Sequence, residues 1–223
     1  MRNEQNGVGI EFDVHGTGTP VVLLHGFPDS ARLWRNQVPA LVDAGFQAIV
    51  PDQRGFGRSS KPPAVSDYAM PYLVQDVFGI LTTLGLDRVH LVGHDWGAAV
   101  AWAFAALAPQ QVDHLAVLSV GHPGAFVTAG IPQLQRSWYM FLFQFEGVAE
   151  EWLSANNWAN ARAWMQHPDH DEVVAALESA NSLTSALSWY RANLPPRAWI
   201  DGPPALPPVQ APTMGVWSSG DIA

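Results

Sequence analysis

The chain has 223 residues, 48% of them hydrophobic, with 11 basic and 20 acidic side chains, a net charge of −9 and no cysteine. That balance, with no Lys/Arg run anywhere, argues against a nucleic-acid surface or an anionic membrane. The absence of cysteine excludes disulfides, zinc–thiolate sites and a thiol nucleophile. The first seven residues carry no apolar leader, and the longest apolar run, Ala98 to Ala108, is too short to cross a bilayer. A cytoplasmic protein without membrane contact is expected.

In chain order, residues 9–14 and 21–24 read as strands, the second a continuous apolar run suited to a sheet covered on both faces. A helix is expected from an N-cap at Ser30 to about Ala44, and a strand over Phe46 to Val50. A loop rich in Gly, Pro and Ser follows from Gln53 to Ser66, which Asp52 is expected to buttress together with Arg54 without a catalytic part. Pro71 marks the first turn of a helix that runs to Leu84 and stops at Gly85. A strand over 89–92, a helix over 98–108 and a strand from His114 to Val120 complete the series. Repeated β-α units of this length imply an α/β fold with a doubly wound, mostly parallel sheet. The rhythm breaks near residue 122. From Ile131 to about Arg197 the sequence is helix-like and, with Trp199 just past its end, holds six of the ten tryptophans. A proline-rich connector then leads to a returning strand at 213–217. The expected organisation is a core over 1–130, an inserted helical lid with its return connector over 131–211, and a returning core strand with its loop over 212–223.

Gly93-His94-Asp95-Trp96-Gly97 lies between an expected strand and an expected helix. This is the context of a nucleophile elbow, with aspartate where serine usually stands. The flanking glycines allow a strained turn that presents the middle side chain outward. With a reference pKa of about 3.9, a carboxylate there is ionised at neutral pH and needs no base before attacking a saturated carbon to form an ester. Upstream, His25-Gly26-Phe27-Pro28 follows a strand directly. Its Phe27 N–H can pair with the Trp96 N–H to hold the oxyanion that forms when water attacks that ester.

These two motifs, with Asp52-Gln53-Arg54-Gly55-Phe56-Gly57-Arg58-Ser59-Ser60 between them, resemble the epoxide hydrolases of the α/β-hydrolase superfamily. The haloalkane and haloacetate dehalogenases are close relatives of these enzymes. The resemblance implies an α/β-hydrolase fold with a helical lid, an Asp95 alkyl-ester intermediate, and no cofactor or metal. It implies small apolar epoxide-type substrates in a pocket that includes Phe27, Pro28, Trp96 and Phe143. The segments Trp138-Tyr139-Met140-Phe141-Leu142-Phe143-Gln144, preceding Gly147-Val148-Ala149-Glu150, and Ser188-Trp189-Tyr190-Arg191-Ala192-Asn193 resemble the family's two lid-tyrosine segments. They would place the Tyr139 and Tyr190 hydroxyls on the epoxide oxygen during ring opening; packing tyrosines are the other reading. Asp221, after the returning strand, resembles the acid that orients the family's water-activating histidine. No histidine follows it, so the chain is expected to lack the last strand, the histidine and the final helix, and its N-terminus to be short by an edge strand. His94 and His122 are expected to be structural. Two alternatives stay open: a haloalkane or haloacetate dehalogenase-type hydrolase, and a non-catalytic α/β-hydrolase fragment. Oligomeric state is not legible.

Overall fold

The computed structural model describes residues 1–179, 181–202 and 205–220. The N-terminal half alternates as the sequence predicts. Strands β1 (Arg2–Gln5), β2 (Val8–His15) and β3 (Thr19–Leu24) are followed by α1 (Gln37–Asp43) and β4 (Phe46–Pro51). Then come α2 (Met70–Leu84), β5 (Val89–His94), α3 (Trp96–Leu107) and β6 (Val112–Leu118). Helices α4 (Pro123–Thr128), α5 (Ile131–Arg136), α6 (Trp138–Leu142), α7 (Val148–Met165), α8 (His170–Glu178), α9 (Ser182–Asn193) and α10 (Ala198–Asp201) are inserted before β7 (Thr213–Val216).

The strands form one sheet in the order β1-β2-β4-β3-β5-β6-β7. The β1–β2 and β2–β4 pairs are antiparallel and the rest parallel. Strand side chains alternate faces, and β3 shows the consequence. Val21 and Leu23 pack with Trp34 and α1 on one face, while Val22 and Leu24 join α2 and α3 on the other. Both faces are therefore covered, as its unbroken apolar run requires. The chain leaves β3 toward β4 on one side and returns as β5 on the other. Such a switch in strand order opens a crevice at the carboxyl ends of the two strands. Leu24 pairs with Gly93 in the β3–β5 register, so the loops carrying Phe27 and Asp95 leave the sheet side by side.

Four local expectations are corrected. The helix expected over 30–44 splits into a 3-10 turn at Ala31–Asn36, capped by the Ser30 side chain, and α1. Pro39 lies inside, and its ring would conflict with the carbonyl four residues back in a continuous α-helix. Strand β6 runs over 112–118, not 114–120, because Ser119 adopts a left-handed φ of 64°. An edge strand does precede β2: Arg2–Gln5 pairs with it. Asp52 buttresses its loop through the N–H groups of Ala31 and Arg58 and the Arg58 guanidinium. Arg54 instead forks onto Asp76, at 2.7 and 2.9 Å.

Candidate active site

Asp95 sits at the bend between β5 and α3 with φ 52° and ψ −124°, a backbone region that side-chain-bearing residues rarely occupy. The bend closes only because its neighbours lack side chains. A Cβ on Gly97 would come 2.2 Å from the Leu24 carbonyl oxygen, and one on Gly26 would come 2.3 Å from Asp95 Oδ1 and 2.6 Å from the Trp96 nitrogen. Gly26 thus lets the β3 loop lie against Asp95. Across that gap the Phe27 N–H donates to Asp95 Oδ1 at 2.7 Å, and the Trp96 N–H also donates to the carboxylate. The two donors expected to hold an oxyanion both donate to the Asp95 carboxylate itself.

Burial pushes the Asp95 carboxyl above the usual carboxylate range, while His94 and the N–H groups of Trp96 and Phe27 pull it back. A reference pKa alone missed this burial. Tyr190 is raised well above the ordinary phenol value, first by burial, then by the Asp95 charge and by Tyr139, against a hydrogen bond to the Trp96 side chain. It is a neutral donor at pH 7.

The histidines take separate parts. His25 is buried, accepts the Gln53 N–H on Nε2 at 2.9 Å and donates from Nδ1 to the Gly26 carbonyl at 3.0 Å. Both ring nitrogens are used in the neutral form, and burial lowers its pKa in agreement. His122 caps α4 by accepting the Gly124 N–H, the structural part expected of it. His94 departs from expectation: it lines the cavity beside Asp95, and its buried Nδ1 finds no hydrogen-bond partner among the described residues.

His167, in the turn after α7, lies 3.3 Å from Asp29 just past Pro28 and latches the inserted helices to the β3 loop. Its hydrogen bond to Asp29 raises its pKa. A raised folded-state pKa gives stability that is complete below the unfolded value of about 6.5 and fades as pH rises through the folded value. His167→Gln is therefore expected to lower stability most below pH 6.5, by about 1–2 kcal/mol. The gap between variant and parent should close at alkaline pH; thermal melts across pH check this.

Asp95, Trp96, Phe27, Tyr139 and Tyr190 line one cavity of about 550 Å³, together with Met70, Ser119, Gln133, Asn193 and apolar residues including Phe126, Leu206 and Trp217. The structure thus gathers the sequence-predicted aspartate and both tyrosines. The rings of Tyr139 and Tyr190 are 6.1 Å apart, and Tyr190 meets Trp96 edge-on at 5.1 Å. Pro28 and Phe143 are not among the lining residues. Phe143 is fully buried behind the tyrosines, 5.6 Å from the Tyr139 ring and 5.0 Å from that of Tyr190. It supports the wall and does not form it. Asp221 lies outside the described residues.

Residues 19–197 match the alpha/beta hydrolase fold family. The chain belongs to this family. Among its relatives, the AB hydrolase superfamily protein YfhM of Bacillus subtilis is 33% identical over 201 residues, covering 84% of this chain and 70% of the relative. Epoxide hydrolase A of Mycobacterium tuberculosis is 41% identical over 163 residues, 69% of this chain and 50% of that enzyme. The epoxide hydrolase of Bacillus megaterium, in complex with an inhibitor, superposes with a TM-score of 0.85 at 28% identity, covering all of this chain and 84% of that one. The chain is epoxide hydrolase-like in sequence and fold, and it spans about half the length of the curated epoxide hydrolases it matches.

Within the family frame, sequence reasoning passed over several wall residues. Asn193 is the clearest. Its amide accepts the Met70 N–H at 2.7 Å and donates to the Tyr68 and Trp189 carbonyls, each at 2.9 Å. These bonds seat α9, and so Tyr190, on the core. An asparagine three residues after the tyrosine was visible, but two of its partners lie more than a hundred residues away and leave no local signal.

Proposed function

We propose that the chain opens epoxides by nucleophilic attack of Asp95. The carbon–oxygen bond of the ester forms through the carboxylate oxygen that Phe27 does not hold. One ring carbon–oxygen bond breaks, and its electron pair stays on the ring oxygen. That oxygen takes a proton from a phenol of Tyr139 or Tyr190 on the lid, the second phenol donating a hydrogen bond. The single observation carrying this reading is that one cavity holds a carboxylate at a nucleophile elbow and two tyrosines on its wall. The apolar remainder of the wall suits small to medium apolar epoxides.

Hydrolysis of the ester requires an activated water. Among the described residues, His25, His122 and His167 are committed to the partners described above, and His94, beside Asp95, has no partner on its buried Nδ1 to orient it, so we assign none of these four as a water-activating base. General-base assistance is typically worth about 10²–10⁴-fold, and the ester on this chain is expected to be long-lived. The test is incubation with an aryl epoxide followed by intact-mass measurement. The expected result is a gain of one whole epoxide molecule, since nothing leaves on ring opening. An unchanged mass would overturn the proposal. A dehalogenase would release halide from a haloalkane in preference to opening an epoxide, and no feature of the cavity favours that reading.

A further inference from the structure

The two phenols stand on elements far apart in sequence, and something must set their spacing. Helix α9 is seated on the core through Trp189, whose indole donates to the Arg54 carbonyl at 2.9 Å, and through Asn193. Helix α6 has five residues, too few to be stable on its own propensity, since isolated helices below about 12 residues are marginal. Its orientation must come from outside.

Arg191 supplies the connection. Its Nε donates to the Phe143 carbonyl, at the end of α6, at 2.9 Å. Its two terminal nitrogens fork onto Glu150 at 2.8 and 2.9 Å. The Arg191 side chain is 6% exposed, so the pair is sheltered from solvent. Glu150 also accepts the Gly147 N–H at 2.9 Å, fixing the start of α7 just beyond α6. Gln144 closes the same seam, donating to the Tyr190 carbonyl at 3.3 Å and the Met140 carbonyl at 3.0 Å. The residue next to one phenol therefore grips the end of the short helix that carries the other.

We propose that Arg191 and Glu150 are positioning residues for ring opening: their forked ion pair holds α6 against α9 so that the Tyr139 and Tyr190 hydroxyls converge on one epoxide oxygen. This rests on the reading of Asp95 and the two tyrosines given above. Two donors that share one acceptor tolerate little displacement, and an error of about 1 Å in such a site costs on the order of 10²-fold in rate. A lysine cannot replace the fork, because one ammonium does not span the Phe143 carbonyl and both Glu150 oxygens.

The experiment compares alkylation of Asp95 by two reagents, followed by intact mass. An aryl epoxide needs a proton on its departing oxygen. A primary alkyl bromide does not, since bromide leaves with the bonding pair and no proton is transferred. In Glu150→Gln, Arg191→Lys and Arg191→Met, the limiting rate with the epoxide is expected to fall by about 10²-fold. The epoxide concentration giving half the limiting rate should stay near its parental value, and the bromide rate should hold within a few-fold. Tyr190→Phe should show the same selective loss. The two conservative variants carry the test if Arg191→Met fails to fold. Equal losses with both reagents, a rise in half-saturating epoxide at an unchanged limiting rate, or no loss at all would overturn the inference. If the bromide leaves even the parent unmodified, the split between limiting rate and half-saturation decides. A parent chain that neither reagent modifies would overturn the Asp95 reading, and this inference with it; a modified parent with insensitive variants overturns this inference alone.

Discussion

Asp95→Asn is expected to abolish covalent capture of an epoxide while leaving the fold intact. The side chain keeps its size and its carbonyl oxygen, so the Phe27 N–H retains an acceptor at the position that now receives it at 2.7 Å. What disappears is the nucleophilic lone pair of a carboxylate. Removing the nucleophile from a hydrolase that works through an ester intermediate costs on the order of 10⁶-fold, well beyond detection by mass. The parent should gain one epoxide mass and the variant none, with peptide mapping placing the adduct on Asp95. An adduct of equal yield in the variant would move the chemistry to another side chain. Far-ultraviolet dichroism of the two proteins should agree, and the thermal midpoint of the variant should be no lower than that of the parent, since burial already disfavours the Asp95 charge.

Gly26→Ala should be nearly as damaging by a different route. The new methyl would sit 2.3 Å from Asp95 Oδ1, 2.5 Å from Asp95 Cβ and 2.6 Å from the Trp96 nitrogen. All three atoms in its way belong to the elbow, and Asp95 Cβ and the Trp96 nitrogen are fixed by its confined backbone, so they cannot swing clear as a flexible side-chain tip could. Either the β3 loop lifts or Asp95 turns, and both outcomes pull the Phe27 N–H off the carboxylate. Loss of one such donor costs about 10²–10³-fold in reactions that pass through an oxyanion. The alkylation rate is expected to fall by about 10²-fold through misalignment of the attacking oxygen. The thermal midpoint should fall with it. A variant that reacts at the parental rate would show that the approach of these two loops is not what aims the nucleophile.

The parts of this molecule written in the sequence are those fixed by local chemistry. The apolar run of β3, the Gly85 helix stop in its left-handed conformation and the glycines around Asp95 each determine structure within a few residues of themselves. The alternating series of elements followed from them, and so did the meeting of the Phe27 and Asp95 loops. What was illegible depends on partners distant in the chain. Strand β1 is the polar stretch Arg-Asn-Glu-Gln, which shows no apolar alternation because it lies at a sheet edge. The pairing of Arg54 with Asp76, in preference to Asp52, is decided by which face of α2 turns inward. Tyr139 and Phe143 are one helical turn apart, yet the first lines the cavity and the second stands behind it; motif comparison does not distinguish them. Glu150 and Arg191 stood in plain view within the two tyrosine segments, and only the packed structure joins them.

The influence of Asp95 on Tyr190 has one more consequence. While the nucleophile is anionic, its field suppresses phenol ionisation. Once that carboxylate becomes an ester, the charge is gone and the phenol turns into a stronger acid. On the proposed pathway, acidity would rise in step with basicity developing on the departing oxygen. The Asp95→Asn protein imitates the uncharged state, and its Tyr190 should ionise at lower pH than in the parent when followed by ultraviolet difference titration. An unshifted titration would show that the two groups do not communicate, and an upward shift would reverse the sign of this argument.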